Sequence, residues 1–177
     1  MGKRERKMFK DEGLEVLEIL KKGLSYDFDI FEKHPFYGYG FDLVAKATVE
    51  NYRTIFGAVK FDRFYSFEFS LVKYLKKSDL NEVNRIISII QNKYLELFKP
   101  SQDVIGTIIS LLFIAPSVET EVIRYIENFR YQKSFMFGLK GKYEIRIIFF
   151  DIENKKVYTN KHGIKVKNYY ERLLKRR

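Results

Sequence analysis

The sequence predicts an α+β fold, one mainly antiparallel sheet covered by helices. Three observations carry that expectation. Several segments alternate apolar and polar residues with the period of a half-buried strand, four others repeat apolar residues at helical spacing, and the first strands follow one another with gaps too short for crossover helices. A chain of 177 residues with 46% hydrophobic and 17% aromatic side chains has enough apolar material for a core; about 70% of the unfolded surface is buried in a domain of this size. No linker, internal repeat or low-complexity tract interrupts it. Residues 1–177 therefore read as a single α+β domain with basic N-terminal (1–10) and C-terminal (155–177) segments, and two halves split near Pro100 is the other reading.

Residues 7–23 place Leu14, Leu17 and Leu20 on one stripe widened by Val16 and Ile19, with Gly23 positioned as a left-handed cap behind two lysines. A connecting segment rich in aromatics runs to Gly40. Alternation then predicts strands at 41–50, 53–61 and 65–71, an antiparallel meander. Ser78 or Asp79 can cap a helix carrying Leu80, Val83, Ile87, Ile90, Tyr94 and Leu97, stopped by Pro100. Residues 105–114 are apolar on both faces, as in a fully buried strand, and periodicity alone leaves a buried helix open. Ser117 is the N-cap expected for a helix with Val118, Val122, Ile126 and Phe129 inward. Strands are expected at 134–139, 143–152 and 157–159, with a turn at 153–155, and a basic helix over 164–177 that docks Ile164, Tyr170, Leu173 and Leu174.

Absences narrow the chemistry. Without cysteine there are no disulfides, thiol nucleophiles or cysteinyl metal sites, and two histidines, His34 and His162, exclude a three-histidine centre. No phosphate-binding glycine loop, dinucleotide fingerprint or nucleophile elbow occurs. The longest apolar run, about twelve residues, falls short of the roughly 20 that a membrane helix needs, and no apolar signal core follows the N-terminus. The expectation is a cytoplasmic protein without metal or cofactor, outside the enzyme classes that carry signatures.

The formal charge of +10 is unevenly spread. Residues 1–10 hold five basic side chains against one acid and residues 155–177 nine against one, so the intervening body is close to neutral. Lys3, Arg4, Arg6, Lys7, Lys165, Lys167, Arg172, Lys175 and Arg176 are thus candidates for salt-dependent, sequence-nonspecific contact with nucleic-acid phosphates. Terminal charge runs also occur simply as solvated ends, and a basic amphipathic helix also suits a membrane surface. A second cluster, Arg130, Lys133, Lys140, Lys142 and Lys161, gathers around the Gly138 and Gly141 turns, where backbone amides and cations would suit an anion or a phosphate-handling enzyme.

Three further constellations invite a reading. Gly38-Tyr39-Gly40-Phe41 matches the centre of an RNA-recognition octapeptide but has Tyr37 and Asp42 where that pattern has a basic and an aliphatic residue. His34 in the same loop is of general-base type. Asp151, Glu153 and Lys155 follow the acid, acid, lysine order of metal-dependent nucleases, although a turn would point the lysine away. Tyr37, Tyr39 and Phe64 would serve a protein-interaction or oligomeric module instead.

The run Phe129-Arg130-Tyr131-Gln132-Lys133-Ser134-Phe135-Met136-Phe137-Gly138-Leu139-Lys140-Gly141, then Thr159-Asn160-Lys161-His162-Gly163 and a tyrosine-containing basic helix, resembles an uncharacterised archaeal family, a domain of unknown function, mainly in the C-terminal third. The resemblance implies an archaeal, cytoplasmic origin and brings no activity, cofactor or site. Abundant Lys, Glu and Ile with three glutamines and no cysteine agree with a heat-adapted chain.

Overall fold

The structure, a computed structural model, describes residues 3–55, 58–98, 103–138 and 141–175, with side chains over 12–50, 63–98, 103–137 and 141–175. Helix α1 (Lys3–Leu24) leads into β1 (Asp29–Glu32), a small hairpin of β2 (Pro35–Phe36) and β3 (Tyr39–Gly40), and two long strands, β4 (Leu43–Ile55) and β5 (Ala58–Tyr74). Then come α2 (Leu80–Asn92), α3 (Tyr94–Leu97), β6 (Val104–Ala115), α4 (Thr120–Asn128), β7 (Gln132–Ser134), β8 (Lys142–Asp151), β9 (Lys156–Thr159) and α5 (Ile164–Lys175). Seven strands form one sheet in the order β1-β4-β5-β6-β8-β7, with β9 also on β8, and β2–β3 stand apart as a second, two-stranded sheet.

The α+β class holds and most strand pairs are antiparallel, but the large sheet is mixed and is not the single sheet expected. At the centre β6 runs parallel to both β5 and β8, while the flanking pairs are antiparallel. The cause lies in the two helical connections, α2–α3 and α4, each long enough for the crossover a parallel pair requires. Both crossovers step the same way along the sheet, and a shared hand places both helices on one face. Accordingly Val83, Ile86, Ile87 and Ile90 of α2 and Val122 and Ile126 of α4 share a cluster with Ile109, Leu111, Phe113, Tyr143, Ile145, Ile147 and Phe149 of β6 and β8. On the other face Val16, Leu20 and Leu24 of α1 and Tyr170 and Leu174 of α5 join Leu112, Ile114, Ile148 and Phe150. Alternation in β6 and β8 feeds both clusters, which is why the 104–115 run is apolar on each side.

Other expectations need correction. The separate strand at 53–61 is the junction of β4 and β5, whose register runs on to Ile55↔Ala58. The connecting segment before Gly40 holds β1 and the hairpin. Gly23 lies inside α1 rather than capping it, with the Tyr169 hydroxyl 3.1 Å from where its Cβ would stand. The α1 stripe is rotated, since Leu14 is exposed while Val16 and Leu20 are buried. Ile164 is 61% exposed and docks on nothing. Asp79 does cap α2, accepting from the amides of Asn81 and Glu82. Ser117 caps nothing comparable, because α4 starts at Thr120 and the amide of Glu119 donates to Ser78 Oγ at 2.8 Å. That cap comes from a residue remote in sequence, so no local pattern announces it.

Thr107 is fully buried, and its hydroxyl is the one buried side-chain polar atom among the described residues without a hydrogen-bond partner. It lies in register between Phe67 and Tyr143. An orphaned hydroxyl costs about 1–3 kcal/mol, and valine has nearly its shape. Thr107→Val is therefore expected to stabilise the protein by about 1 kcal/mol in urea unfolding; destabilisation would show that the hydroxyl is satisfied in solution.

Candidate functional site

The β2–β3 hairpin closes on two residues, Tyr37 and Gly38, with φ of 51° and 78°. Positive φ at both positions is what a tight hairpin of right-handed strands demands. Glycine adopts it freely; a tyrosine does so at a cost of about 1 kcal/mol or more. The strain is held in place by anchors on the next residues. Tyr39 Oη donates to Glu82 Oε1 on α2 at 2.9 Å, Lys73 Nζ donates to Gly40 O at 2.8 Å, and Arg85 and Lys73 sit over the Tyr39 ring at 5.2 and 5.5 Å. Burial first, then the hydrogen bond and charge of Glu82, push the Tyr39 phenol up to about 12 against the opposing pull of Arg85. It stays a neutral donor across the physiological range.

Held this way, the hairpin roofs a cleft of about 580 Å³. Phe36 and Tyr37 form the roof, Phe67 and Phe69 of β5 with Val104 of β6 form the floor, and Leu97 of α3 closes one side. The floor follows from the period of two: Lys46 pairs with Phe69 and Thr48 with Phe67, so these four point to the same face. Two charges reach the lining, Lys46 and Glu96. Glu96 is neutralised by Lys93 at 2.6 Å, and Lys93 also lies 5.6 Å from the centre of the Tyr37 ring. Lys46 makes no close ion pair among the described residues, its cross-strand neighbour being Asp29 on β1, which leaves the cleft apolar with one cation at its edge.

A second constellation lies at the start of β8, on the opposite sheet face. The buried carboxylate of Glu144 accepts from Arg146 Nε at 3.0 Å and lies 3.6 Å from Lys142 Nζ and 3.9 Å from His162 Nδ1. His162 sits on a 3-10 turn (Lys161–Gly163) fixed by Asn160, whose Oδ1 accepts from the Ile147 and Gly163 amides and whose Nδ2 donates to Ile145 O. Burial lowers the His162 pKa below its ordinary value; the charge of Glu144 opposes this, while Arg130, Lys142 and Lys161 add to the lowering. The imidazole is neutral at pH 7.

Of the anion-site candidates, Lys142, Lys161 and Arg130 thus surround His162, a residue that the spacing had not linked to them. Lys133 is turned away: it pairs with Tyr143 in the β7–β8 register and places its amine 5.8 Å from the Tyr131 ring centre. Lys140 lies outside the described residues. The nucleic-acid candidates are dispersed. Lys165 and Lys175 are exposed on α5, Lys167 pairs with Glu171 at 3.7 Å, and Arg172 Nε donates to Asn168 O. The side chains of Lys3, Arg4, Arg6, Lys7 and Arg176 lie outside the described ones. Asp151 is fully buried and accepts from Asn154 and the Val118 amide, so the acid, acid, lysine run is a turn-forming device. Among the described residues no group of three or more His, Asp or Glu is arranged to hold a metal, and no helix is long and apolar enough to cross a membrane. Tyr37 and Tyr39 belong to the hairpin rather than to a flat aromatic surface, and His34 is exposed beside Phe31, 5.5 Å between ring centres.

A family described as a domain of unknown function, DUF8052, matches the chain over residues 12–172. The chain belongs to that family. The match reaches well beyond the C-terminal segments that carried the resemblance, through the hairpin, the cleft floor and the His162 turn alike. No curated protein and no solved structure matches the chain.

Proposed function

We propose that the protein binds a small, largely apolar molecule bearing an acidic group, in the cleft beneath the hairpin. The observation that supports this best is the pairing of an aromatic and aliphatic lining with Lys46, a cation in no close ion pair among the described residues, in a volume within the range of small-molecule sites, about 300–1,000 Å³. The strained Tyr37 backbone points the same way, since strain is kept where a side chain must be presented at a fixed place. The composition further supports reading the chain as archaeal, heat-adapted and cytoplasmic. Nucleic-acid binding gains little from the geometry, because two of the α5 cations are already engaged, Lys167 with Glu171 and Arg172 with the Asn168 carbonyl.

Two dyes with the same ring system separate the parts of this reading. Phenylnaphthylamine is neutral; anilinonaphthalene sulfonate adds an anionic group. Both are expected to fluoresce on binding the native protein saturably, the sulfonate about three- to fivefold more tightly, the scale of a partly exposed charge pair. Lys46→Met should remove that advantage and leave the neutral dye unaffected. Tyr37→Gly should weaken both while leaving stability within about 1 kcal/mol of the parent, because relief of left-handed strain offsets the added freedom of the unfolded chain. No saturable binding of either dye would overturn the reading.

A further inference from the structure

The cleft accounts for neither Glu144 nor His162. A buried carboxylate that holds an arginine and faces a histidine, on a turn rigidified by a fully buried asparagine, is more organisation than packing requires. Since Nδ1 of His162 faces Glu144 Oε2 at 3.9 Å, the Nε2 edge of the ring is turned away from the carboxylate. Lys142 approaches the same carboxylate oxygen at 3.6 Å, which sets its ammonium beside the imidazole. Lys161 precedes the histidine in the chain, and Arg130, whose Nη1 donates to the Glu127 and Phe129 carbonyls at the end of α4, contributes its charge from there. Helix α5 starts at Ile164, directly after the turn, adding the positive end of its dipole. Glu144 is offset by Arg146, so the outer groups present net positive charge around a ring nitrogen.

We propose that His162, Lys142, Lys161 and Arg130 form a binding site for a dianionic, phosphate-type oxyanion, free or as the terminal group of an ester, with Glu144 as the positioning residue that orients the imidazole. The charged groups that act on the ring from the packed elements are Glu144 and Lys142 on β8, Arg130 after α4 and Lys161 on its own turn. Three of these four are cations, and an anion bound among them offsets both the burial and the repulsion that keep the ring neutral. Binding of the dianion therefore favours the protonated ring, and filling the site moves the His162 titration to higher pH.

With two histidines in the chain, side-chain NMR reads the site directly and His34 is the internal control. Inorganic phosphate and phenyl phosphate are titrated at constant ionic strength. The expected result is saturable movement of the His162 resonances and a raised His162 pKa, with His34 unchanged; response to both ligands assigns a terminal phosphate, response to inorganic phosphate alone assigns the free anion. Lys142→Gln and Lys161→Gln, both at exposed positions, should each weaken binding about five- to tenfold, the scale of one charge-assisted hydrogen bond. Glu144→Gln should lower the His162 pKa further. Equal, unsaturable response of the two histidines, or a shift only with a single-stranded oligonucleotide, would overturn the proposal.

Discussion

Replacing Gly141 by alanine is expected to cost about 3 kcal/mol or more in urea unfolding. Gly141 has φ of 84°, and a Cβ there would stand 2.3 Å from the Val104 carbonyl oxygen, 3.1 Å from the Ile105 carbonyl carbon and 3.0 Å from Phe98 Cζ. Two of those neighbours are backbone at the start of β6, and β6 is hydrogen-bonded to strands on both sides, so neither moves without breaking ladder bonds. The left-handed conformation alone accounts for about 1 kcal/mol of the cost. Gly38 supplies the control: its φ is 78° but nothing lies within 4 Å of its Cβ position, so Gly38→Ala should lose only the conformational part. Near-parental stability for Gly141→Ala would mean that β6 does not begin against this turn. Because Val104 also lies in the cleft floor, the variant should bind the neutral dye less well even where it remains folded.

Asn160→Ala is expected to cost roughly 3–5 kcal/mol. The outer edge of β8 is paired by β7 along residues 142–144 and by β9 along 148–151, which leaves a gap between them. Asn160 fills it. Its amide satisfies the Ile147 N–H at 3.0 Å, the Ile145 carbonyl at 2.9 Å and the Gly163 N–H at 3.0 Å, in a side chain with no solvent exposure. Alanine leaves the Ile147 N–H and the Ile145 carbonyl buried without those partners, each at about 1–3 kcal/mol before relaxation, while the Gly163 amide keeps its bond to the backbone carbonyl of residue 160. Amide exchange at Ile147 and Gly163 should accelerate with the loss of stability. A variant as stable as the parent, with those two amides still protected, would show that the backbone closes the gap unaided.

Much of the fold was legible because its causes are local. Asp79 caps α2 through amides two and three residues on, and the doubly apolar 104–115 run is β6, with neighbours on both sides. The same run was the signal for parallel pairing, since a strand flanked by crossovers is buried on both faces. The runs of adjacent antiparallel strands before and after it pointed to a meander and obscured that signal. The sites were less legible for a related reason. Tyr37 is not a residue that announces a left-handed turn, so nothing local in the sequence marks the hairpin. Glu144 and His162 meet only because β9 folds back on β8, and no spacing rule joins them. Of the cations grouped by the glycine turns, Lys142, Lys161 and Arg130 lie near His162, Lys140 lies outside the described residues, and the position of Lys133 on β7 sends it to the other face.

The claim that organises this account is that the hairpin, β5, β6 and α3 build a ligand site. Amide chemical-shift mapping of phenylnaphthylamine on uniformly labelled protein tests it most directly. Saturable shifts concentrated at Phe36, Tyr37, Phe67, Phe69 and Leu97 are the predicted result; shifts centred elsewhere, or none at dye concentrations that saturate the fluorescence, would contradict it.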